Sequence, residues 1–193
     1  MKKHWYDYLW IASAAYLLLG CFNILFAWLG LLCFAIPLLI ALCGGGKAYC
    51  GKYCGRGQLF ALLGGQLGLS PRRDAPKFLR SRWFRLSFLI FFMTMFSLML
   101  WNTWQVFAGA AELRQIVKLF WTFRLPWHWA YRGAPAPWAA QFAYGFYSLM
   151  LTSTALGMAT MFLFKPRSWC VYCPMGTMTQ LICEAKAGRR GSL

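Results

Sequence analysis

The feature that most restricts how this chain can fold is a run of 39 residues, 8–46, without a charged side chain. As one continuous helix this run would be roughly 58 Å long, whereas the hydrocarbon core of a bilayer is about 30 Å thick. We therefore predict two membrane passes, near residues 9–26 and 28–42, with a tight turn near residues 23–30. One long tilted helix is the alternative.

Two later runs, residues 86–111 and 133–164, are also free of charge. Each is long enough for one spanning helix, which we place near residues 86–104 and 138–164. With 60% hydrophobic residues, the chain is too apolar to bury its side chains in one soluble core. The predicted fold class is an all-α integral membrane protein with about four transmembrane helices.

The basic residues of the chain predict its orientation. Of the 20 Lys and Arg residues, two precede the first helix, nine lie in residues 44–85, four in 105–137 and five from residue 165 onward. Because cytoplasmic loops accumulate Lys and Arg, both termini are expected in the cytoplasm, at a bacterial cytoplasmic (inner) membrane. We expect no nucleic-acid partner, since the cations lie between apolar runs and not on a soluble module.

The eight cysteines fall into two kinds. Three lie in or at the end of the first apolar run, where a small apolar side chain is expected: Cys21, Cys33 and Cys43. Four lie in two close pairs, in loops rich in Gly, Pro and basic residues, and need another explanation: Cys50, Cys54, Cys170 and Cys173. Cys183, ten residues after the second pair, stays open as a further ligand.

The two cysteine pairs belong to similar motifs, Cys50-Gly-Lys-Tyr-Cys54 and Cys170-Val-Tyr-Cys173, and after the last cysteine each has two residues and then a glycine, Gly57 or Gly176. Each motif also follows a membrane helix and leads into another apolar stretch. This pattern predicts a parallel duplication within one membrane domain (1–193), with repeat one at about 1–70 and repeat two at about 83–185. Each half would then supply two thiolates to a shared cytoplasmic site.

A metal or cluster requires deprotonated sulfur, which backbone amides at a helix start and nearby cations stabilise. Five basic residues flank the two motifs: Lys47, Lys52, Arg56, Lys165 and Arg167. Four thiolates in two pairs also satisfy zinc, so a structural zinc-thiolate staple in an assembly protein is the alternative to a cluster.

At these motifs the chain resembles the ferredoxin-like [4Fe-4S]-binding membrane proteins typified by the NapH subunit of periplasmic nitrate reductase systems and the membrane domain of NosR. That family pairs two Cys-x3-Cys-Pro motifs at the cytoplasmic ends of membrane helices. Here Gly55 stands where the family has Pro, and the second pair is spaced Cys-x2-Cys.

The resemblance implies that Cys50, Cys54, Cys170 and Cys173 hold an iron-sulfur cluster, with [4Fe-4S] as the first choice. It also implies a non-catalytic electron-transfer subunit, one relay between a cytoplasmic donor or quinol and a partner redox protein. The implied partners are the lipid bilayer and other redox subunits that carry a flavin, a ferredoxin or a cytochrome.

Two further segments carry polar or aromatic residues worth placing. Residues 105–137 are dense in Trp, which favours an interfacial segment along the headgroups. The last predicted span contains Gln141, Thr152 and several small residues, for which packing against a neighbouring helix is expected. A quinone pocket is the alternative there.

Overall fold

A computed structural model describes residues 8–43, 50, 53–71, 73–120, 122–131 and 136–190, the last four by backbone alone. Most of these residues are helical. The main elements in chain order are α1 (Leu9–Phe22), α2 (Gly30–Leu42), α3 (Gly55–Ala61), α4 (Lys77–Arg80), α5 (Arg82–Phe107), β1 (Ile116–Leu119), β2 (Phe123–Pro126), α6 (Pro137–Leu163) and α7 (Pro174–Arg190). A π-helical turn, Leu62–Gln66, extends α3, and 3-10 helices cover Ile24–Leu29, His128–Ala130 and Ser168–Val171.

Among the residues that the structure describes, three helical segments are long and apolar enough to cross a membrane: Ile24–Leu42, Arg82–Phe107 and Pro137–Leu163. The last two contain the predicted spans near 86–104 and 138–164. Helix α1 has only 14 residues, or about 21 Å, which is less than the thickness of the hydrocarbon core. A fourth spanning helix therefore stays a prediction.

The first apolar run bends at Asn23. Its backbone is extended (φ −147°, ψ 119°), and its side chain accepts a hydrogen bond from the Leu25 amide at 3.0 Å, which starts the 3-10 helix. A Cβ atom on Gly30 would lie 2.7 Å from the Tyr16 hydroxyl, although 14 residues of straight helix would separate the two by about 21 Å. The run is thus a turn between two helices and not one long helix.

The chain divides into two compact units. Unit 1 comprises Met1–Ser13, Cys33–Phe91 and Leu156–Leu193, and includes both cysteine motifs. Its core is built from four buried side chains: Phe60, Met161, Trp169 and Tyr172. The predicted boundaries of the two sequence repeats are not tested by these units and stay a prediction.

Unit 2 comprises Ala14–Leu32 and Phe92–Ala155. It contains a two-stranded antiparallel hairpin, β1 with β2, that was not expected in an all-α chain. Phe120, at the hairpin turn, has a φ of 50°, a left-handed conformation that costs a non-glycine residue roughly 1–2 kcal/mol. Buried Val117 on β1 joins the core of this unit.

Polar side chains on one face of α6 hold the hairpin backbone, which explains why a strand forms there. The Ser148 hydroxyl accepts a hydrogen bond from the Lys118 amide at 3.0 Å, and the Thr152 hydroxyl accepts one from the Phe120 amide at 3.3 Å. Gln141 accepts another from the Arg114 amide at 3.0 Å. Gln141 and Thr152 thus bond to backbone of the hairpin segment, while Gly145 and Gly157 of the same helix contact Met99 on α5 and Phe60 on α3, as helix packing predicts.

Candidate metal centre

The last cysteine of each motif stands at the start of a helix. Cys54 precedes α3, and its carbonyl accepts a hydrogen bond from the Gln58 amide at 3.0 Å. Cys173 precedes α7, and its carbonyl accepts the equivalent bond from the Thr177 amide at 2.9 Å. The last cysteine of each motif therefore occupies the same position relative to the helix that follows it, and the duplication itself stays a prediction.

Sulfur atoms from both motifs lie close to Gly57. A Cβ atom on Gly57 would lie 3.6 Å from the Cys170 sulfur and 3.7 Å from the Cys54 sulfur. These two cysteines are far apart in sequence, yet both sulfurs face the same glycine. Because Gly57 has no side chain, the space between the sulfurs stays open for a bound group.

The other two predicted ligands lie in the same region of unit 1. The Cys170 thiol is within electrostatic range of Cys50, Cys54 and Cys173. The sulfur of Cys50 also lies 3.9 Å from the Thr179 hydroxyl on α7. In the part of the chain that the structure describes, no three His, Cys, Asp or Glu side chains are grouped closely enough to hold a single metal ion. Cys54 and Cys170 lie near one glycine, the other two cysteines lie in the same unit, and the role of all four as ligands stays a prediction.

Burial controls the protonation of these thiols. Burial, reinforced by the neighbouring Cys54, raises the pKa of Cys170 to about 12, against a partial opposing effect of Arg167. Burial also raises the pKa of Cys173, whereas the backbone amides of Gly176 and Met175 and the charge of Arg56 lower it. Both thiols are thus protonated near neutral pH, and a metal that binds there must displace protons.

Of the five basic residues expected near the thiolates, two act on them. The charges of Arg56 and Arg167 oppose the rise in the thiol pKa values. Arg167 also donates a hydrogen bond to the Gln58 side chain at 3.0 Å, which ties the second motif to the helix of the first. Lys165 instead pairs with Asp74 at 2.6 Å, and Lys47 and Lys52 lie outside the described residues.

An aromatic wall covers one side of the cysteine region. Cys173 packs against the buried core of unit 1, where Trp169 and Tyr172 form an edge-to-face pair with ring centroids 4.9 Å apart. Phe88 contacts both rings, at 5.9 and 5.3 Å. The buried indole N–H of Trp169 has no hydrogen-bond partner within the described ranges. These rings cover one side of Cys173.

Close packing explains why a glycine occupies position 55. A Cβ atom on Gly55 would lie 2.6 Å from the Ser13 hydroxyl and 2.7 Å from the Leu9 carbonyl oxygen. The second contact is with backbone on α1, which cannot move aside as a flexible side chain can. Only glycine fits at this point, whereas Pro174 occupies the first position of α7 without such a restriction.

Two other cysteines lie nearer to the site than their sequence context indicates. The thiol of Cys33, on α2, is within electrostatic range of Cys54 and Arg56. Cys183 follows Thr179 by one helical turn on α7, so it shares the face that contacts Cys50. The apolar setting of Cys33 gave no signal of this proximity. As a further ligand, Cys183 stays a prediction.

No family model, curated protein or solved structure matches this chain.

Proposed function

We propose that this protein is a membrane-bound electron-transfer relay that holds an iron-sulfur cluster with Cys50, Cys54, Cys170 and Cys173. The observation that supports it best is the position of Gly57, which faces the sulfurs of Cys54 and Cys170 from two distant motifs. A group bound by both sulfurs would need space between them, and the absence of a side chain on Gly57 leaves that space open.

The donor set and its surroundings suit such a group. Thiolates are the usual ligands of iron-sulfur clusters, and hydrogen bonds to the sulfurs together with solvent exclusion adjust the reduction potential. Here the amides of Gly176 and Met175 interact with the Cys173 sulfur. When bound, a [4Fe-4S] cluster would accept and release single electrons.

The residues of the chain perform the remaining tasks of a relay. The aromatic wall of Phe88, Trp169 and Tyr172 covers one side of the site. Arg56 and Arg167 offset part of the negative charge that thiolate ligands would bring. These contributions hold and insulate the centre and do not themselves catalyse a reaction.

The long apolar helices support an integral membrane location, because three of them match the length and composition of membrane spans. We propose the bacterial cytoplasmic membrane, with both termini and the cysteine region on the cytoplasmic side. At that surface the centre would exchange electrons with a soluble flavin protein, a ferredoxin, a cytochrome or a quinol.

Single-cysteine variants test this proposal through colour. We expect Cys54→Ser and Cys170→Ser, in protein purified without oxygen, to lose the broad visible absorption and the electron paramagnetic resonance signal of a reduced cluster. Cys21→Ser is the matched control, since Cys21 belongs to unit 2 and its sulfur lies 3.4 Å from the Tyr147 hydroxyl. Colour retained in both site variants would exclude this ligand set.

The zinc alternative predicts a different outcome for the same proteins. A zinc-thiolate staple gives no visible absorption, and its loss in Cys54→Ser would lower stability without any change of colour. A colourless wild-type protein with one zinc per chain would move the protein to the class of structural or assembly proteins.

A further inference from the structure

Exposed cations of unit 1 gather around one acidic side chain. The Asp74 carboxylate pairs with Lys165 at 2.6 Å and with Arg80 at 3.7 Å, and the three side chains are 52–64% exposed. The Lys165 amide also donates a hydrogen bond to the Arg73 carbonyl at 2.9 Å. The loop before α4, α4 itself and the segment after α6 therefore meet at one place on the surface of unit 1.

Two further cations extend this group. Lys77 is exposed on α4, between Asp74 and Arg80 in sequence. Arg167 is also exposed, donates a hydrogen bond to the Gln58 side chain at 3.0 Å and acts electrostatically on the Cys170 thiol. We call these five cations the basic patch: Arg73, Lys77, Arg80, Lys165 and Arg167. The patch thus extends from α4 to the second cysteine motif.

The basic patch keeps an excess of positive charge after its internal pairing. Both ion pairs among the described residues use the same carboxylate, that of Asp74. One carboxylate cannot neutralise five cations. A surface with an excess of one sign of charge speeds the encounter with partners of the opposite sign and disfavours partners of the same sign. The basic patch is therefore complementary to an acidic surface.

An exposed aromatic ring accompanies these cations on α4. Phe78 follows Lys77 directly and is 68% exposed, and its ring packs against Phe84 with centroids 4.8 Å apart. Aromatic residues are enriched in protein–protein interfaces, whereas charged residues lie mainly at the rim. Phe78 therefore adds an apolar contact to the charge of the basic patch.

We propose that the basic patch is the docking surface for a small soluble electron carrier, an iron-sulfur or flavin protein rich in surface carboxylates. The proposal rests on the iron-sulfur centre proposed above. Arg167 belongs both to the patch and to the surroundings of Cys170, so a carrier docked here lies beside that centre. One electron would leave the carrier, which is oxidised, and pass to the centre.

An anionic lipid surface is the other class of partner that such cations attract. Anionic headgroups attract Lys and Arg anywhere near the cytoplasmic surface of a membrane, whatever lies next to them. The basic patch instead adjoins Cys170. Electron-transfer complexes use small, transient interfaces, and charge steers their formation. A protein carrier therefore explains both the charge and the position of the patch, whereas lipid explains the charge alone.

Binding of an acidic carrier tests the docking surface. The full chain is immobilised in phosphatidylcholine nanodiscs, and an acidic [2Fe-2S] ferredoxin is titrated by biolayer interferometry. We expect the double variant Arg73→Glu/Lys77→Glu to weaken binding by about tenfold, because each exposed charge pair contributes modestly and the new carboxylates add repulsion. Salt at about 0.5 M should weaken binding by the wild type to a similar extent.

The matched control reverses two exposed cations of unit 2. Arg114→Glu/Arg124→Glu changes the net charge by the same amount outside the basic patch, and it should change ferredoxin binding by less than about twofold. The unfolding temperature of each variant reports on its fold. If charge reversal impairs folding, Arg73→Gln/Lys77→Gln takes its place and should still weaken binding several-fold.

Three outcomes would overturn the proposal. The first is equal weakening by both double variants, which would indicate attraction by net charge alone. The second is equal binding of a basic cytochrome c in place of the ferredoxin. The third is loss of bound phosphatidylglycerol from Arg73→Glu/Lys77→Glu in native mass spectrometry, with unchanged ferredoxin binding, which would assign the patch to lipid headgroups.

The docking surface and the iron-sulfur centre can fail separately. Binding needs no electron transfer, and iron and sulfide analysis of the same samples reports on the centre. Ferredoxin binding through the basic patch by protein without iron would keep the docking surface and contradict the relay. An iron-sulfur protein whose ferredoxin binding is insensitive to Arg73→Glu/Lys77→Glu would contradict the docking surface alone.

Discussion

The sulfur of Cys170 lies 3.6 Å from the position that a Cβ atom on Gly57 would occupy. This distance is an ordinary van der Waals contact, so alanine at position 57 fits between the free thiols. It would, however, place a methyl group where we propose that a cluster binds. The fold therefore accommodates alanine at position 57, and only the proposed cluster would clash with its methyl group.

Gly57→Ala therefore separates cluster binding from folding. We expect the variant to bind iron roughly tenfold more weakly, in the range seen when groups next to metal ligands are changed, with an unaltered unfolding temperature. Gly65→Ala is the control, because the nearest atom to its added Cβ is 3.9 Å away. The measurement is iron per chain after dilution into chelator. Equal iron retention by both variants would contradict the placement of the cluster.

A second prediction concerns the packing of Gly55 against α1. Gly55→Ala introduces a methyl group 2.7 Å from the Leu9 carbonyl oxygen, and overpacking of this kind costs about 1–3 kcal/mol. For a chain of this size, the unfolding temperature falls by about 2–4 °C for each kcal/mol. Gly176→Ala should leave it unchanged, since its nearest contact would be 3.6 Å. Thermal unfolding in detergent, followed by circular dichroism, provides the comparison.

The α6 hydroxyls allow a matched pair of substitutions. Thr152 and Thr154 are both 2% exposed, but Thr152 contacts the hairpin backbone, whereas Thr154 bonds to the Met150 carbonyl of its own helix at 2.8 Å. Thr152→Val leaves the half-buried Phe120 amide without its partner, at a cost of about 1 kcal/mol. Thr154→Val should have a smaller effect, because the Met150 carbonyl keeps its helical bond. Similar losses of stability would mean that the hairpin does not depend on Thr152.

The Asp74–Lys165 pair predicts a pH dependence. The hydrogen bond and charge of Lys165 lower the pKa of Asp74 below its ordinary value of 3.8. A carboxyl whose folded-state pKa is depressed stabilises the fold above the ordinary pKa and loses that contribution as the pH falls through the folded-state value. Below pH 3.8 the unfolding temperature of the wild type should fall more steeply than that of Asp74→Asn.

Glu112→Gln is the control for this titration, because Glu112 forms no ion pair among the residues that the structure describes. Its pH profile should follow that of the wild type. Parallel profiles for the wild type and Asp74→Asn would remove Asp74 as a source of acid sensitivity.

The long helices could be predicted from sequence because charge-free runs leave few alternatives. Residues 86–111 and 133–164 have no charged side chain, and α5 and α6 occupy them. The boundary of α1 was predicted four residues too late, since an apolar run continues past Asn23 while the Asn23 side chain already caps the next helix. The hydrogen bond of the Asn23 side chain sets the end of α1, and a hydropathy pattern contains no information on such a bond.

The hairpin could not be predicted from the same patterns. Its strands have four residues each, too few for an alternating pattern to stand out. The signal that existed was the placement of Gln141, Ser148 and Thr152 on one face of α6, spaced by seven and four residues. That spacing indicates a polar face but does not say whether a helix or a strand edge contacts it.

The sequence motifs indicated which cysteines to consider as ligands but not how the residues around them pack. The two motifs and their glycines predicted that Cys54 and Cys170 lie close together, as they do at Gly57; the complete ligand set stays a prediction. The closeness of Cys33, the pairing of Lys165 with Asp74 and the steric reason for Gly55 depend on contacts between distant segments. No local sequence pattern encodes those contacts.

The presence of an iron-sulfur cluster is tested by measuring iron, zinc and acid-labile sulfide in the full chain. The protein is purified without oxygen, and its visible spectrum is recorded. If the four cysteines hold a [4Fe-4S] cluster, we expect about four irons and four sulfides per chain, with an absorption band that bleaches on reduction. Stoichiometric zinc, or protein with neither metal nor sulfide, would contradict it.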